Sequence, residues 1–468
     1  MRALLRALAA AITATSFVVV AVSPASAQTG RPGVTPSTIN VGGMAALENF
    51  VGQPYGSTFD GVQAYFNYVN AKGGAYGHKF KLIAKLDDQD SPSTDLVVAR
   101  SLIEEKHVFA ILPVAVDNFT AGSYLARSGV PTLGWNINAQ WASGYPTPGS
   151  AYPPGCVAAP GADGTPCTSS SGAPNLFGDK GSFLCFTCPD PAPGFVAAQL
   201  GIRNVAILAY SVPQSASCAA GLQAGFERFG SNIVVNDHSL QPGFSDLGSD
   251  VDAMRAGNVQ LVATCMDVGA DVRAAQALKR AGLMSVKFFA PQGYDPQTLK
   301  KYGAAINGFY FLVGFVPFEE ASISPGLQLF VKQMHKLGKP VNELSLAGWI
   351  DADLLYKGIK AAGPTFTQTS VVQAINQVNG YTADGIRPPI NWSFDGHRPG
   401  HEGCGAFVEA VNGKFVGQFG RPGQPFLCSQ ALPLPTHVGP DTLYYRPPKP
   451  GEVLPSSATV PTTSPPTP

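Results

Sequence analysis

Charged residues are scarce in this sequence, and neither sign is in excess. Of its 468 residues, only 13% are Asp, Glu, Lys or Arg, and 31 basic residues balance 31 acidic ones. A chain without a basic cluster is a poor candidate for binding nucleic acid or an anionic membrane surface. Hydrophobic residues make up 45% of the chain, which is enough to build a core and excludes disorder throughout.

The motifs of common catalytic machinery are missing as well. There is no G-x-S-x-G nucleophile elbow, no phosphate-binding P-loop, no H-E-x-x-H zinc motif and no G-x-G-x-x-G turn after a strand. These absences favour a protein that is not an enzyme and needs no cofactor.

Two clusters of potential ligand residues require a separate interpretation. Asp87, Asp88 and Asp90 follow a predicted strand and precede a helix, where acidic residues usually cap the helix or pair with its dipole; a metal site is the alternative. The second cluster shares one loop, and its spacing fits no standard metal set: His397, His401, Glu402 and Cys404. We therefore predict no metal site.

Residues 1–27 have the three parts of a secretory signal peptide. Arg2 and Arg6 precede an apolar run at 7–22, and an Ala-Ser-Ala cleavage-type sequence ends the segment. A membrane anchor is the alternative, but the run is short and rich in Ala and Thr. The residue directly after the expected cleavage point is not a cysteine, so we expect no lipid anchor. We predict a secreted, extracytoplasmic protein of the periplasm or cell envelope.

Cysteine is absent from the first 155 residues and occurs eight times beyond them. An even number of cysteines in an exported chain predicts disulfides, although the C-x-x-C spacing at 185–188 would also suit a redox or zinc pair. The pairs 156–167 and 404–428 are the first to be expected, and the sequence leaves the connectivity open. The cysteines expected to form bridges are Cys156, Cys167, Cys185, Cys188, Cys218, Cys265, Cys404 and Cys428.

Strand and helix patterns alternate along two stretches of the chain. In the first stretch, strands are predicted at 39–41, 80–86, 108–114 and 130–134, with Ser93 as the cap of one helix between them. In the second stretch, strands are predicted at 205–209, 233–235, 261–264, 287–290 and 308–316, and long helices follow at 325–337 and 343–362. Such βαβ series predict an α/β fold with two doubly wound parallel-sheet lobes.

Composition divides the chain into two lobes, an insertion and a tail. Residues 140–198 are rich in Cys, Pro and Gly and are predicted to form an insertion and a crossover. Residues 447–468 are rich in Pro, Ser and Thr and predict an unfolded tail. The N-terminal and C-terminal lobes are each assigned two segments: 34–139 with 322–388, and 199–321 with 389–430.

Two such lobes in an exported chain without catalytic motifs favour ligand binding between the lobes. In open parallel sheets, ligands lie beyond the carboxyl ends of the strands, and closure about a hinge traps a small solute. The loops expected at these ends are 44–58, 115–120, 134–139, 210–218, 265–271 and 292–295. Their candidate ligand-binding residues are Tyr55, Asp117, Asn118, Trp135, Asn136, Asn138, Tyr210, Asp267, Gln292 and Tyr294.

Several short motifs resemble a known family. The sequence Asn-Ala-Lys-Gly-Gly at 70–74, followed by Gly-His-Lys at 77–79 and Asp-Asp at 87–88, is similar to the N-A-x-G-G-x-x-G…D-D signature of Leu/Ile/Val-type solute-binding proteins of ABC importers. These are type I periplasmic binding proteins. Supporting matches lie at 130–131, 291–293, 391–396 and 411–415. The resemblance covers residues 38–419 and implies a Venus-flytrap fold with a three-crossover hinge.

The positions that bind amino acids in this family carry different residues here. The resemblance implies small hydroxyl residues for the ligand carboxylate after the third and fourth strands, and an acidic residue in a P-E-G turn for its ammonium. This chain has Asp117 and Asn118, then Trp135, and Gln292 in the turn. An amide cannot neutralise a buried ammonium, so a branched-chain amino acid is not expected unless Asp117 or Asp295 supplies the negative charge.

Aromatic and amide side chains in these loops indicate a polar or amphipathic ligand. The resemblance places Tyr55 where an aromatic residue packs on the ligand, and Trp135 would form a second wall; both would equally suit the core or the lobe interface. Hydrogen bonds to the ligand would come from Asn118, Asn136, Asn138 and Gln292. An amino acid, an amide or an aromatic compound is therefore expected.

The sequence as a whole predicts a monomeric binding protein with a small-molecule ligand, no nucleic acid, and the permease subunits of an ABC importer as partners. One alternative is a ligand sensor of the same fold that acts on a signalling partner. A less favoured alternative is a secreted hydrolase whose nucleophile has no recognisable motif.

Overall fold

The computed structural model describes residues 31–138, 141, 173–178, 192–390, 392, 404–428 and 443–446. The predicted signal peptide and tail, and most of the predicted insertion, lie outside these residues. The same is true of Cys156, Cys167, Cys185, Cys188, His397, His401 and Glu402.

The first sheet contains five parallel strands. They are β1 (Thr38–Ala45), β2 (Lys79–Asp87), β3 (Ala110–Ala115), β4 (Thr132–Gly134) and β5 (Leu176–Gly178), in the order β2-β1-β3-β4-β5. Every residue of β3 is buried, as expected for a strand that is covered on both faces. β5 is not predicted from the sequence, because three residues are too few to show a pattern and their partner strand lies far away in the chain.

The helices of this lobe come from two distant parts of the chain. They are α1 (Ser57–Ala71), α2 (Pro92–Arg100) and α3 (Gly122–Ser128), then α9 (Pro325–Leu337), α10 (Glu343–Ala362) and α11 (Gln368–Ile375). α1 and α10 cross closely: a Cβ on Gly61 would lie 1.8 Å from the Ser345 carbonyl oxygen, and one on Gly348 would lie 1.9 Å from that of Thr58. Glycine at both positions permits this close packing.

The start of α2 differs from the prediction. The helix begins at Pro92 with Ser91 at the N-cap position, and no side chain accepts a capping hydrogen bond. Ser93, the predicted cap, lies within the first turn, with its Oγ 3.0 Å from that of Ser91. Proline suits the first helical position because the N–H it lacks would have no intrahelical partner there, so the helix starts before Ser93.

The second sheet has a parallel core and an antiparallel edge. The parallel strands are β6 (Asn204–Tyr210), β7 (Asn232–Leu240), β8 (Leu261–Cys265), β9 (Lys287–Phe289) and β10 (Phe309–Val313). The antiparallel strands are β11 (Cys404–Val411), β12 (Lys414–Gln418), β13 (Phe426–Cys428) and β14 (Leu443–Tyr445). The order is β14-β13-β11-β10-β9-β8-β6-β7, with β12 also paired to β11.

Five helices belong to the second lobe: α4 (Ala192–Gln199), α5 (Pro213–Arg228), α6 (Ser249–Ala256), α7 (Val268–Arg280) and α8 (Pro296–Tyr302). α5 begins at Pro213, inside the predicted binding loop 210–218, because its polar first turns carry no apolar pattern. Among the helices that the structure describes, none has the length and hydrophobicity needed to cross a bilayer.

The chain passes between the two lobes three times. It crosses after β5, after β10 by way of the 3-10 helix Phe318–Ile323, and after α11. This topology confirms the predicted α/β fold with two doubly wound parallel-sheet lobes and a three-crossover hinge. The antiparallel strands β11–β14 are an addition that the sequence patterns do not predict.

A disulfide links α5 to the end of β8. Cys218 and Cys265 are bonded, with their Cα atoms 6.0 Å apart. This bond is not among the two pairings expected first, because the two cysteines are 47 residues apart in the chain and only the fold brings them together. Cys404 is also disulfide-bonded, and the register of β11 and β13 places it opposite Cys428; the pairing of these two residues stays a prediction.

Candidate ligand-binding site

A cavity of about 640 Å³ lies between the lobes. It is formed mainly by residues that follow β1, β3 and β4 in the first sheet and β6, β8 and β9 in the second. This is the edge of the sheets at which open α/β folds bind ligands. The cavity is lined by Phe50, Val51, Asp117, Trp135, Ile137, Tyr210, Val212, Gln214, Ser215, Cys218, Cys265, Met266, Asp267, Pro291 and Gln292.

A second cavity of about 310 Å³ adjoins the first. Trp135 and Gln292 line both cavities and therefore stand between them. The other lining residues are Gln53, Tyr55, Gly293, Tyr294, Asp295, Glu343 and Leu344. Of the ten predicted ligand-binding residues, the structure brings seven to the walls of these two cavities: Tyr55, Asp117, Trp135, Tyr210, Asp267, Gln292 and Tyr294.

Asp117 is the carboxylate of the first lobe in the larger cavity. Its side chain is buried, with 7% of its surface exposed. Oδ1 accepts a hydrogen bond of 2.7 Å from the hydroxyl of Tyr55, whereas Oδ2 is buried and has no hydrogen-bond donor. Burial raises the pKa of Asp117 to about 7, and the negative charges of Asp90 and Asp88 add to this shift.

The hydroxyl of Tyr55 stays protonated. Burial raises the pKa of its hydroxyl well above the ordinary value, and the charge of Asp117 raises this pKa further. The hydroxyl therefore acts as a permanent donor to Asp117. Tyr55 is 1% exposed, so its ring is part of the packed wall and contributes to the smaller cavity.

The acidic run after β2 supports the loops around Asp117. Asp90 accepts hydrogen bonds from the backbone N–H of Phe50 at 3.3 Å and from Nδ2 of Asn118 at 3.2 Å. Asp87 accepts from the N–H of Leu47 at 3.1 Å. The predicted capping of α2 by these residues is wrong, because their carboxylates bind loop N–H groups instead. Burial raises the pKa of Asp88 to about 7.

The asparagine side chains that were predicted to donate hydrogen bonds to the ligand contact other residues of the first lobe instead. Nδ2 of Asn138 donates to the carbonyl oxygen of Asp117 at 2.6 Å, and Asn118 donates to Asp90. Asn136 is buried, and its Cγ lies 2.2 Å from where a Cβ on Gly178 would be. None of these three residues is among the described residues that line the two cavities. They position the loops after β3 and β4.

Asp267 is the corresponding carboxylate of the second lobe. Its Oδ2 accepts a hydrogen bond from the hydroxyl of Tyr210. Its Oδ1 accepts from the N–H of Ala270 at 3.0 Å and thereby caps α7. A carboxylate at a helix N-terminus is stabilised by the helix dipole. The protein therefore compensates the charge of Asp267 from its own groups.

Residues of the turn after β9 line both cavities. Gln292 occupies the position at which the family resemblance implies an acidic residue, and it is half-buried. Tyr294 is 2% exposed; its hydroxyl donates to Glu319 and accepts from the N–H of Phe318 at 2.6 Å. Asp295 caps α8 by accepting from the N–H of Gln297 at 2.6 Å. Burial raises the pKa of Asp295 above its ordinary value.

Side chains from the two lobes touch across the larger cavity. Nε2 of Gln214, in the first turn of α5, donates to the carbonyl oxygen of Asp117 at 2.6 Å. The rings of Phe50 and Tyr210 meet edge to face with their centroids 6.4 Å apart. These contacts join the two lobes beside the larger cavity. Gln214 and Phe50 lie in predicted binding loops, but no sequence signal distinguishes them from their neighbours.

The described walls of both cavities are acidic. They contain Asp117, Asp267, Asp295 and Glu343, and no Lys, Arg or His. Within the part of the chain that the structure describes, no group of three or more His, Cys, Asp or Glu side chains is arranged to hold a metal ion. The site can therefore bind a ligand through charge, hydrogen bonding and aromatic contact.

The chain matches the model of a known protein family and is similar in fold to several solved structures. A family model described as periplasmic binding protein matches residues 38–414. No curated protein matches the chain in sequence.

Solved structures are similar in fold at low sequence identity. A branched-chain amino acid ABC transporter protein from Thermus thermophilus with bound valine is 15% identical, with a TM-score of 0.63 over 82% of this chain and 96% of that one. A solute-binding protein from R. palustris in complex with benzoate is 16% identical, with a TM-score of 0.60 over 82% and 96%. A fatty acid ABC transporter substrate-binding protein from Thermomonospora curvata is 16% identical, with a TM-score of 0.59 over 86% and 95%.

Proposed function

The chain belongs to the periplasmic binding protein family, and we propose that it captures a small molecule outside the cytoplasm and delivers it to the permease subunits of an ABC importer. The ligand binds between the lobes, which close on it, and it is released unchanged. No bond is made or broken in this cycle.

The cavity between the lobes carries this proposal. Its walls come from both lobes, so a bound ligand contacts both and stabilises the closed arrangement. The structures with bound valine and benzoate show that this fold accepts ligands of different chemistry.

A ligand screen by thermal unfolding tests the binding step. Amino acids, amides, amines, sugars and aromatic acids are added to the folded chain, and the unfolding temperature is measured. A ligand present at 100 times its dissociation constant is expected to add about 2.7 kcal/mol to the free energy of unfolding. The ligand is then recovered and identified by mass spectrometry.

The outcome also separates the alternatives. Recovery of an unchanged ligand supports a binding protein, whereas steady conversion of the ligand to a product would show an enzyme. Uptake of the identified ligand by vesicles that contain the permease tests the transport role. A ligand that binds tightly but is never taken up would instead indicate a sensor.

A further inference from the structure

The larger cavity has a carboxyl side chain on each of its walls, Asp117 and Asp267, and no positive side chain among the described residues that line it. The smaller cavity beside it adds Asp295 and Glu343. A ligand with a negative group would therefore enter a site that repels it, and a ligand with a positive group would relieve the repulsion.

Of the three aspartates that line the two cavities, Asp117 is the one whose charge the protein compensates least. Asp267 and Asp295 each cap a helix, whereas Asp117 caps none. The donor at the start of α3, the N–H of Ala121, is taken by Asp95 at 2.6 Å. Oδ2 of Asp117 is buried without a donor. A proton held on Asp117 can bind the carboxylate of Asp90, so the charge of Asp117 is uncompensated only when both groups are ionised.

Aromatic rings complete the walls of the larger cavity. Phe50 and Trp135 come from the first lobe and Tyr210 from the second. The faces of such rings attract ammonium and quaternary ammonium groups, and the rings also cover apolar parts of a ligand. A cavity lined by carboxylates and aromatic rings therefore suits an organic cation.

We propose that the ligand of this site is an organic cation without a carboxylate, such as an amine, whose positive group pairs with Asp117 while its apolar part packs on Phe50 and Trp135. The second carboxylate, Asp267, faces the same cavity and increases the preference for positive charge. This inference rests on the proposed function and specifies its ligand class.

A zwitterion is the competing class. The first turn of α5 contributes Gln214 and Ser215 to the cavity wall, and helix N-termini favour negative groups. An amino acid would have to place its carboxylate at this turn and its ammonium at Asp117. We expect the carboxylate to cost affinity, because Asp267 lines the same cavity.

A matched series of phenyl compounds separates these classes by calorimetry. Phenethylamine is the cation, phenylacetamide the neutral analogue, phenylacetate the anion and phenylalanine the zwitterion; choline is a cation without a ring. We expect phenethylamine to bind about tenfold or more tightly than phenylacetamide and more tightly than phenylalanine, and phenylacetate not to bind. Choline is expected to bind more tightly than phenylacetate.

Variants assign the effect to Asp117. Asp117→Asn is expected to weaken phenethylamine binding about thirtyfold or more and phenylacetamide binding far less, because the substitution removes the charge and keeps the size of the side chain. Asp267→Asn should weaken phenethylamine binding less, because the start of α7 and the Tyr210 hydroxyl already compensate the charge of Asp267. Asp246→Asn, on the exposed surface, is the control and should change neither affinity.

The pH dependence of the wild-type chain gives a second readout if a variant does not fold. The groups that act on Asp117 are Tyr55, Asp88 and Asp90, with Asp267 across the cavity. Because Asp117 titrates at about 7, a cation must displace its proton at pH 6. We expect phenethylamine to bind about tenfold more tightly at pH 8 than at pH 6, with no such change for phenylacetamide.

The inference is overturned if phenylalanine, phenylacetate or phenylacetamide binds more tightly than phenethylamine, or if neither cation binds. It is also overturned if cation affinity does not change between pH 6 and pH 8. In each of these cases a ligand of another class in the wider screen would leave the proposed function intact. The proposed function itself fails only if no class of small molecule binds or if the ligand is converted.

Discussion

Each lobe places in the wall of the larger cavity a carboxylate that accepts a hydrogen bond from a tyrosine hydroxyl. In the second lobe, the pair is Tyr210 and Asp267, and the carboxylate also caps α7. In the first lobe, the pair is Tyr55 and Asp117, and the other oxygen of the carboxylate has no donor. The protein satisfies both oxygens of one carboxylate and leaves one oxygen of the other without a donor.

This difference is why we propose Asp117, and not Asp267, as the carboxylate that pairs with the ligand. Both line the cavity, so position alone does not separate them. The surroundings do: Asp267 lies at a helix N-terminus, whereas Asp117 lies near Asp88 and Asp90, whose charges oppose its ionisation. An uncompensated buried carboxylate is costly to the fold, and the proposed cation would offset this cost at Asp117.

The largest expected effect is that of Asp117→Asn on stability. The folded-state pKa of Asp117 is raised from 3.8 to about 7, so the folded chain holds this proton between pH 4 and pH 7 while the unfolded chain loses it. The free energy of unfolding therefore falls as the pH rises through this window. The variant is expected to be more stable than the wild type at pH 8, by up to about 4 kcal/mol.

Urea unfolding at pH 4 and pH 8 measures this difference. At pH 4 the two chains should be nearly equal in stability, because Asp117 is protonated in the folded state. A residual pH dependence should persist in the variant, because burial also raises the pKa of Asp88 to about 7 and that of Asp95 to about 6. The same difference in stability at both pH values would contradict the burial of an uncompensated charge at Asp117.

The next largest effect is expected from removing the two tyrosine hydroxyls. Tyr55→Phe takes the donor away from Asp117 and should cost about 2 kcal/mol of unfolding free energy at pH 8. Tyr210→Phe should cost about 1 kcal/mol, because Asp267 keeps its hydrogen bond from Ala270. Equal losses for the two variants would show that the helix cap does not compensate Asp267.

The smallest effect is expected at the cap itself. Asp267→Ala removes the capping oxygen of α7 and should cost about 1 kcal/mol, whereas Asp267→Asn keeps the cap and should cost a few tenths. Thermal unfolding of both variants beside the wild type measures this. If the asparagine variant loses as much as the alanine variant, the negative charge of Asp267, and not its hydrogen bond, stabilises the second lobe.

Most of the parallel framework is predictable from local sequence. The helices at 325–337 and 343–362 have the predicted bounds because Ser324 and Asn342 cap their starts and glycine ends both. The parallel strands follow from short apolar runs between helices. β5 and the antiparallel strands β11–β14 are different, because they are short or pair with distant segments and local patterns do not show such pairing.

The site is predictable only at the level of its loops. All the lining residues of the larger cavity on the first lobe and near β6 and β8 fall in predicted loops, since the carboxyl ends of parallel strands determine where loops meet. The direction of each side chain is not encoded locally. Asn118 and Asn138 were plausible ligand donors by chemistry, but they bind Asp90 and the backbone of Asp117.

Hydrogen exchange with and without a saturating ligand tests capture between the lobes most directly. We expect a ligand from the screen to slow exchange of backbone amides in both walls of the cavity, at residues 115–118 of the first lobe and 265–271 of the second. Slower exchange in one lobe only, with the other unchanged, would contradict closure of the two lobes around a shared ligand.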